Sequence, residues 1–464
     1  MAEKQHFHFV GICGTAMGAV AAGMKARGYH VTGSDANVFP PMSTFLESQG
    51  ITLSHGYHEE NIPANADVIV IGNAISRGNP EAEAALERKL LYVSLPEVLK
   101  EHFLRGKRNF IVSGTHGKTT TSSMLTWLMK SAARNPSWMI GGIPKNLHCG
   151  ALFTDSDFTI LEGDEYDTAF FDKRSKFLHY LPECVIINNI EFDHADIYQN
   201  VEEIKLSFRR LLNIVPRDGV AFINGDDQNS CDVAATAPCP IVKVGLGENN
   251  DHRITNIQYR SDGTSFSLLG ETYHTTMVGE FNVRNAAMSI SAALHAGLTP
   301  EECRSGLHSF DGVARRQELR GEVNGIKVID DFAHHPTAIR LAVQAIRQRY
   351  PDSRLWILFE PRSNTTKRNV FQKELASALA TADIAVVAAL TDIHKVPAAE
   401  RLDPTLLAAD IAAAGGTSAY LANVEEIVTH VSAAASPGDV VAVLSNGGFG
   451  GIHQKLLTAL ATTA

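Results

Sequence analysis

Residues 110–129 read FIVSGTHGKTTTSSMLTWLM, and the order of residue types in that stretch decides what the middle of the chain must be. Asn109 to Val112 form a short apolar run suited to a strand buried on both faces. A turn built on Gly114 and Gly117 follows, then Lys118 and a helical pattern through Met129. A strand that ends in a glycine turn and opens a helix offers unpaired backbone N–H groups and the positive end of the helix dipole to phosphate. Gly114, Thr115, His116, Gly117, Lys118, Thr119 and Thr120 therefore read as a nucleotide phosphate loop. Lys118 supplies a point charge for the β- and γ-phosphates, and the next hydroxyl, Thr119, suits Mg2+. The full pattern G-x-x-x-x-G-K-[ST] needs glycine at 112, where Val112 stands, so the match is to the core of the motif. An ordinary strand-helix turn with an exposed lysine is the bland alternative, and the strand-loop-helix context argues against it.

A phosphate loop calls for metal ligands at the ends of neighbouring strands. FTILEGDEYD ends a strand at Glu162, with Asp164, Glu165 and Asp167 following, and CVIINNIEFDHADIY ends one near Asn188, with Glu191, Asp193, His194 and Asp196 following. One acidic cluster after a strand is usually a solvated cap; two downstream of one phosphate loop favour ligands. Near the amino terminus, VGICGTAMG sets Gly11, Gly14 and Gly18 after a strand, and VTGSD brings Ser34 and Asp35 about two dozen residues later. The spacing misses G-x-G-x-x-G, with Cys13 where the second glycine would fall. A nicotinamide site is poorly supported, whereas a diphosphate of another kind stays open.

At 464 residues the chain exceeds the usual domain of about 100–150 residues several times over, so multiple domains are expected. Hydrophobic residues at 44% and charged residues at 20% are ordinary globular usage, which excludes disorder and coiled coil. A net charge of -10 without a run of like charges gives no footprint for nucleic acid or an anionic membrane. No stretch reaches the roughly 18 apolar residues of a membrane span, and no secretory leader is evident, so a cytoplasmic protein without an obligate protein partner is expected. Six cysteines, none in a Cys-x-x-Cys pair, suggest neither a zinc ribbon nor a disulfide framework. Strands and helices alternate over 6–104, again after the basic stretch Arg105-Gly106-Lys107-Arg108, and again beyond Ala314. The alternation predicts parallel α/β sheets, with domains at 1–105, 106–314 and 315–464. Strands are expected at Phe7 to Val10, Val68 to Ile71, Phe158 to Leu161, Val185 to Asn188, Leu355 to Phe359, Ile384 to Ala388 and Val440 to Leu444, and helices at Ala16 to Arg27 and Asn285 to Ala296.

Taken in order, GTHGKTTT, LEGDEYD, NNIEFDHADIY, GEFNVRNAA and DDFAHHPTAI resemble the muramyl ligases of bacterial peptidoglycan synthesis, nearly end to end. EPRSNTTK, SNGGFGGIHQK and NAISRGNP look like the branch that takes a murein tripeptide and recycles it; the alanine-adding branch is the alternative. The resemblance implies an α/β protein of three domains: an N-terminal Rossmann-like domain for UDP-N-acetylmuramate, a central P-loop ATPase-like domain, and a C-terminal Rossmann-like domain for the peptide. It implies amide formation driven by ATP with Mg2+, Mn2+ being the alternative. The muramate carboxylate would be phosphorylated to an acyl phosphate, which the amine then attacks. By the same similarity Thr119, Glu162 and His194 bind metal, Phe281, Asn282, Asn285 and Asp331 belong to the nucleotide site, and Lys118, Arg316, His334 and His335 lie near the reacting phosphate. Gly11, Gly14, Gly18, Ser34, Asp35 and Asn73 fall to the UDP-sugar.

Several sister ligases carry a carbamylated lysine roughly fourteen residues after the histidine of this motif, where Phe208 stands here with Lys205 one helical turn away. Metal binding without carbamylation is the expectation. A tripeptide brings three carboxylates and more length than alanine, which calls for several donors along an open cleft. Arg362, Ser363, Asn364 and Lys367, with Ser445 and Asn446 before a glycine run, provide them at strand ends. The rival reading of a nicotinamide dehydrogenase leaves the phosphate loop and both acidic clusters without work. A non-catalytic ATP sensor has no need of Glu162 and His194 together.

Overall fold

A computed structural model describes residues 4–260 and 262–462, which divide by packing into two compact units. The first takes the chain to Glu191, then Val201–Arg253 and Asn285–Ser309; the second takes Phe192–Asn200, Ile254–Arg284 and the chain from Phe310 on. All the strands and both helices named from the sequence are present. The second of those helices, Glu280–His295, starts more than a turn earlier than expected and so takes in Phe281 and Asn282.

The first unit holds a parallel five-stranded sheet and the parallel middle of a mixed ten-stranded sheet. One has the spatial order Thr52–His55, His30–Asp35, His6–Val10, Val68–Ile71, Tyr92–Ser94. Its central strands, HFHFV and VIVI, are buried throughout. The order runs outward in both directions from His6–Val10, so the crevice at the carboxyl ends of that strand and Val68–Ile71 is the topological switch point, where open α/β sheets take ligands. The other sheet places Arg108–Ser113 between Cys184–Ile187 and Phe158–Glu162, all parallel, with Val220–Asn224 and Ile241–Gly245 beyond the first neighbour. The phosphate-loop strand thus has one acidic segment leaving the strand on either side of it, as the sequence implied.

The second unit is built on six strands in the order Glu318–Val323, Ile326–Asp331, Val440–Leu444, Leu355–Phe359, Ile384–Ala388, Thr417–Leu421; the first pair is antiparallel and the rest parallel. Alternation within LWILF sends Leu355, Ile357 and Phe359 into one apolar core and Trp356 and Leu358 into the other, so helices cover both faces. Asp331, Glu360 and Ser445 close or follow three adjacent strands at the same edge. Among the described residues no helix is long and apolar enough to cross a membrane.

Candidate functional site

In the first unit, Lys118 opens the helix Lys118–Ser131 and the turn before it is held by the strand alongside. Asn189 accepts the Thr115 N–H through its carbonyl (2.9 Å) and the His116 N–H through its side chain (2.8 Å), while Asn188 Nδ2 donates to the Thr121 hydroxyl (3.0 Å). Gly117 has φ +82°, and a Cβ there would stand 2.5 Å from Asn285 Oδ1 and 2.8 Å from Asn188 Nδ2, so the loop closes only on glycine. Asn285, expected in the nucleotide site, is therefore packed against the phosphate loop. His116 pairs with Glu191 (3.0 Å), and Thr120 is buried in the helix's first turn.

Lys118 Nζ donates to the Gly114 carbonyl (2.7 Å) and to Glu165 (2.9 Å). Burial pulls its pKa down, but the Glu165 and Asp164 carboxylates outweigh this and hold the ammonium above its ordinary value. Thr119 Oγ1 donates to Glu162 Oε1 (2.9 Å), and Glu162 Oε2 accepts the Gly141 N–H (2.6 Å). A hydroxyl and a carboxylate side by side at the helix start are oxygen donors of the kind Mg2+ takes, so this part of the expected ligand set fits the ion.

Beside the loop lies a cavity of about 880 Å³, lined on one side by Gly11, Gly14, Asp35, Tyr57 and Asn73 and on the other by Gly141, Glu162, Asp164 and Lys176. Asp35 accepts the backbone N–H of Cys13 and of Asn37 (both 2.9 Å), pinning the glycine-rich turn. Gly18 and Ser34, expected at the sugar site, do not line the cavity. Gly18 lies inside the helix Thr15–Ala26, where a Cβ would meet Met42 Sδ at 2.6 Å, and the buried Ser34 hydroxyl donates to Glu81 (2.6 Å). Lys176, missed in the sequence, is bound to Asp164 (2.8 Å). Burial pushes that carboxyl up, but Lys176 and Lys118 bring it down to about 2.

Phe208 is fully buried against Phe177. Lys205 donates to Asp232 (2.9 Å) and pairs with Glu202 (3.0 Å), and those hydrogen bonds raise its pKa. A protonated, doubly paired amine is a poor substrate for carbamylation.

The remaining expected residues belong to the second unit. Asp331 accepts the N–H groups of Ala333 (2.7 Å) and Gln317 (2.9 Å), and burial, opposed by Arg316, raises its pKa. Arg316 lies over the Phe332 ring, and Asn282 Nδ2 donates to the Val278 carbonyl in the first turn of its helix. Phe281 is half-buried beside Gly279. His334 Nδ1 donates to the Phe332 carbonyl (3.0 Å). His335 is the N-cap of Pro336–Arg349: its Nδ1 accepts the Thr337 N–H (3.3 Å), which leaves Nε2 as the donor to the Phe192 carbonyl (3.2 Å). Both of its ring nitrogens are committed to structure. His194 follows Asp193, whose carboxyl burial raises and the His194, His334 and His335 rings lower, with a net shift downward.

Of the six residues expected to hold peptide, three are bound within the fold. Ser363 caps its own turn through Thr366 (2.8 Å), Asn364 donates to Asp196 (2.9 Å), and the Ser445 hydroxyl donates to the buried Glu360. Arg362 stretches over Gly447, where a Cβ would stand 2.3 Å from its side chain, with Glu360 3.8 Å away. Lys367 is buried with the Asp392 carbonyl at 3.3 Å, and Asn446 Oδ1 is buried with no hydrogen-bond partner among the described residues. Glu360 was not singled out in the sequence because a buried acid carries no pattern of its own, and Thr365, expected among the peptide donors of the same loop, is buried.

A phosphate loop between two acidic strand ends, beside a deep cavity, defines a nucleotide-using α/β enzyme. Family models agree along the chain: Mur ligase family, catalytic domain, over 6–107; Mur ligase middle domain over 112–293; and Mur ligase, glutamate ligase domain, over 315–447. A UDP-N-acetylmuramate–L-alanyl-gamma-D-glutamyl-meso-2,6-diaminoheptandioate ligase of Haemophilus influenzae is 43% identical over 98% of this chain and 99% of the relative. A UDP-N-acetylmuramate–L-alanine ligase of Geotalea uraniireducens is 33% identical over 98% of both. The crystal structure of a murein peptide ligase from Psychrobacter arcticus superposes with a TM-score of 0.72 at 35% identity, covering 98% of this chain and 99% of that one. The chain belongs to the Mur ligase family, whose members are ATP-dependent ligases that form amide bonds.

Proposed function

We propose that this enzyme joins the lactyl carboxyl group of UDP-N-acetylmuramate to the α-amine of L-alanyl-γ-D-glutamyl-meso-diaminopimelate, with ATP cleaved to ADP and phosphate, in peptidoglycan recycling. The observation that carries the choice of amine is the ten-point step in identity between the tripeptide ligase (43%) and the alanine ligase (33%), each measured over nearly the whole chain. The second unit supports it. Arg362, the buried Lys367 and the unpartnered Asn446 Oδ1 supply two cations and an acceptor for a substrate rich in carboxylates and ammonium groups, far more than a single alanine needs.

A carboxylate resists amines because its oxygen leaves poorly, so phosphorylation must come first. Lys118 and the N–H groups at the start of its helix hold the β- and γ-phosphates and oppose the charge that moves in transfer. Thr119 and Glu162 would hold one Mg2+ and His194 with Glu162 a second, which when bound screens the approach of one anion to another. The UDP-sugar occupies the cavity, with Gly11, Gly14, Asp35 and Asn73 at its diphosphate end and Lys176 the one cation lining it among the described residues. Phe281, Asn282, Asn285 and Asp331 serve the nucleoside. Arg316 stabilises the transferred phosphoryl group and His334 lies by the acyl phosphate. An α-amine of pKa about 7.7–8.0 is substantially free at neutral pH, so no strong base is required. Paired Lys205 and buried Phe208 support a metal site without carbamate. Domains at 1–105, 106–314 and 315–464 accord with the three family models, and substrates such as ATP and a UDP-sugar support a cytoplasmic site of action.

The test is a direct competition. Purified enzyme given ATP, Mg2+ and UDP-N-acetylmuramate should ligate the tripeptide with a much higher kcat/KM than L-alanine; the reverse preference would move it to the alanine-adding branch.

A further inference from the structure

The segment Phe192–Asn200, which carries His194, packs within the second unit and is tied there to residues 363–367. Thr365 Oγ1 donates to Asp193 Oδ1 (2.8 Å) and accepts the Ala195 N–H (3.4 Å), so one hydroxyl grips the chain on both sides of His194. Thr365 and Asp193 are 3% and 6% exposed, which removes water as a competitor for the bond. Asp193 Oδ1 also accepts the N–H of His194 itself (2.7 Å), and farther out Asn364 Nδ2 donates to Asp196 (2.9 Å). His194 has φ +54°, a left-handed conformation that a residue with a Cβ keeps only where its surroundings dictate it. Those surroundings include the Thr365 hydroxyl and the two groups it binds, together with the Ile197 and Tyr198 N–H groups that the His194 carbonyl accepts (2.9 and 3.0 Å).

We propose that Thr365 is a positioning residue that fixes the backbone at His194, so that the loop offering Arg362 and Lys367 to the amine substrate also sets the histidine offered to the metal. The inference rests on the reading of His194 as a metal ligand. Valine at 365 keeps the shape of threonine but loses both hydrogen bonds, and it leaves the buried Asp193 carboxylate without its side-chain donor. Serine keeps both.

The experiment uses the full chain with a non-hydrolysable ATP analogue and measures Mn2+ binding by the loss of the free-ion EPR signal, alongside kcat and the KM for each substrate. His194→Ala is the reference. The expected results are that Thr365→Val weakens Mn2+ binding by about tenfold or more, as loss of an orienting partner does, and lowers kcat with little change in the KM for ATP. Thr365→Ser restores both, and Thr365→Val adds nothing in the His194→Ala background. Normal Mn2+ binding in Thr365→Val with weakened binding in His194→Ala overturns the proposal and leaves the metal reading standing. Normal binding in His194→Ala overturns the metal reading and the proposal with it. Should Thr365→Val fail to fold, Asn364→Ala removes the exposed outer tie without stranding a buried group; a smaller loss of Mn2+ affinity is expected, and unchanged affinity overturns the proposal.

Discussion

The Lys118 ammonium lies 2.9 Å from the Glu165 carboxylate, with side chains only 14% and 2% exposed. The lysine at the centre of the phosphate loop is thus also half of a buried ion pair. Two consequences follow for its removal. Lys118→Ala should lower kcat by at least about 10³-fold, because the charge facing the transferred phosphate is gone. It should also lower stability by about 3–5 kcal/mol, since Glu165 is left as a buried charge without its partner. Lys118→Met with Glu165→Gln should recover the melting temperature and none of the activity. A double variant that stays as unstable as the single one would show that the pair contributes nothing to the fold.

Lys205 makes the opposite case. Its ammonium is held by Asp232 and Glu202 at the edge of the helix Val201–Asn213, and Phe208 fills the position where sister enzymes carry their carbamate. Lys205→Ala should leave kcat unchanged, added bicarbonate should not activate the enzyme, and intact-mass spectra should show no 44 Da adduct on the lysine at about neutral pH, where its raised pKa keeps it protonated. Loss of activity in Lys205→Ala, rescued by short-chain carboxylates, would assign it the carbamate role after all.

The parallel sheets, the phosphate loop and its acidic flanks could be read from the sequence because each rests on local signals: apolar runs of strand length, glycines at a turn, a helical period after Lys118. What could not be read was which acid meets which base. Glu165 stood in view in the LEGDEYD stretch, yet nothing in that stretch says that it, rather than Asp164, reaches Lys118 while Asp164 takes Lys176. Ser34 and Gly18 stand outside the cavity lining for a related reason. A residue in a glycine-rich strand-helix turn can line a cavity or lie behind it, and the packing of Met42 and Glu81, distant in sequence, decides the matter. His335 was legible as part of a motif but not as a helix cap, since that role needs an extended backbone at 335 with Nδ1 in reach of the Thr337 N–H.

Glu162 joins Thr119 to the backbone of Gly141 through its two oxygens, so an amide in its place must present NH2 to one of two donors. Glu162→Gln should therefore raise the Mg2+ concentration for half-maximal rate by about tenfold or more. The loss should be partly recovered at high Mg2+ or with Mn2+. An unchanged Mg2+ dependence would remove Glu162 from the ligand set.

The last prediction concerns Gly447, which the glycine run SNGGFGG would let pass as a packing residue. The Arg362 side chain crosses it so closely that a Cβ would stand 2.3 Å from both Cδ and Nε, and the guanidinium has Glu360 at 3.8 Å. The Gly447 backbone is not left-handed, so alanine is accommodated there once the arginine moves, and a flexible, 43% exposed side chain moves at little cost in stability. Gly447→Ala should then reproduce Arg362→Ala: a raised KM for the tripeptide, near-normal KM values for ATP and UDP-N-acetylmuramate, and an unchanged melting temperature. The two changes act on one contact, so the double variant should be no worse than either single one. Additive losses would mean that Gly447 acts independently of Arg362, and a tripeptide KM unchanged in both single variants would take the arginine out of the peptide site.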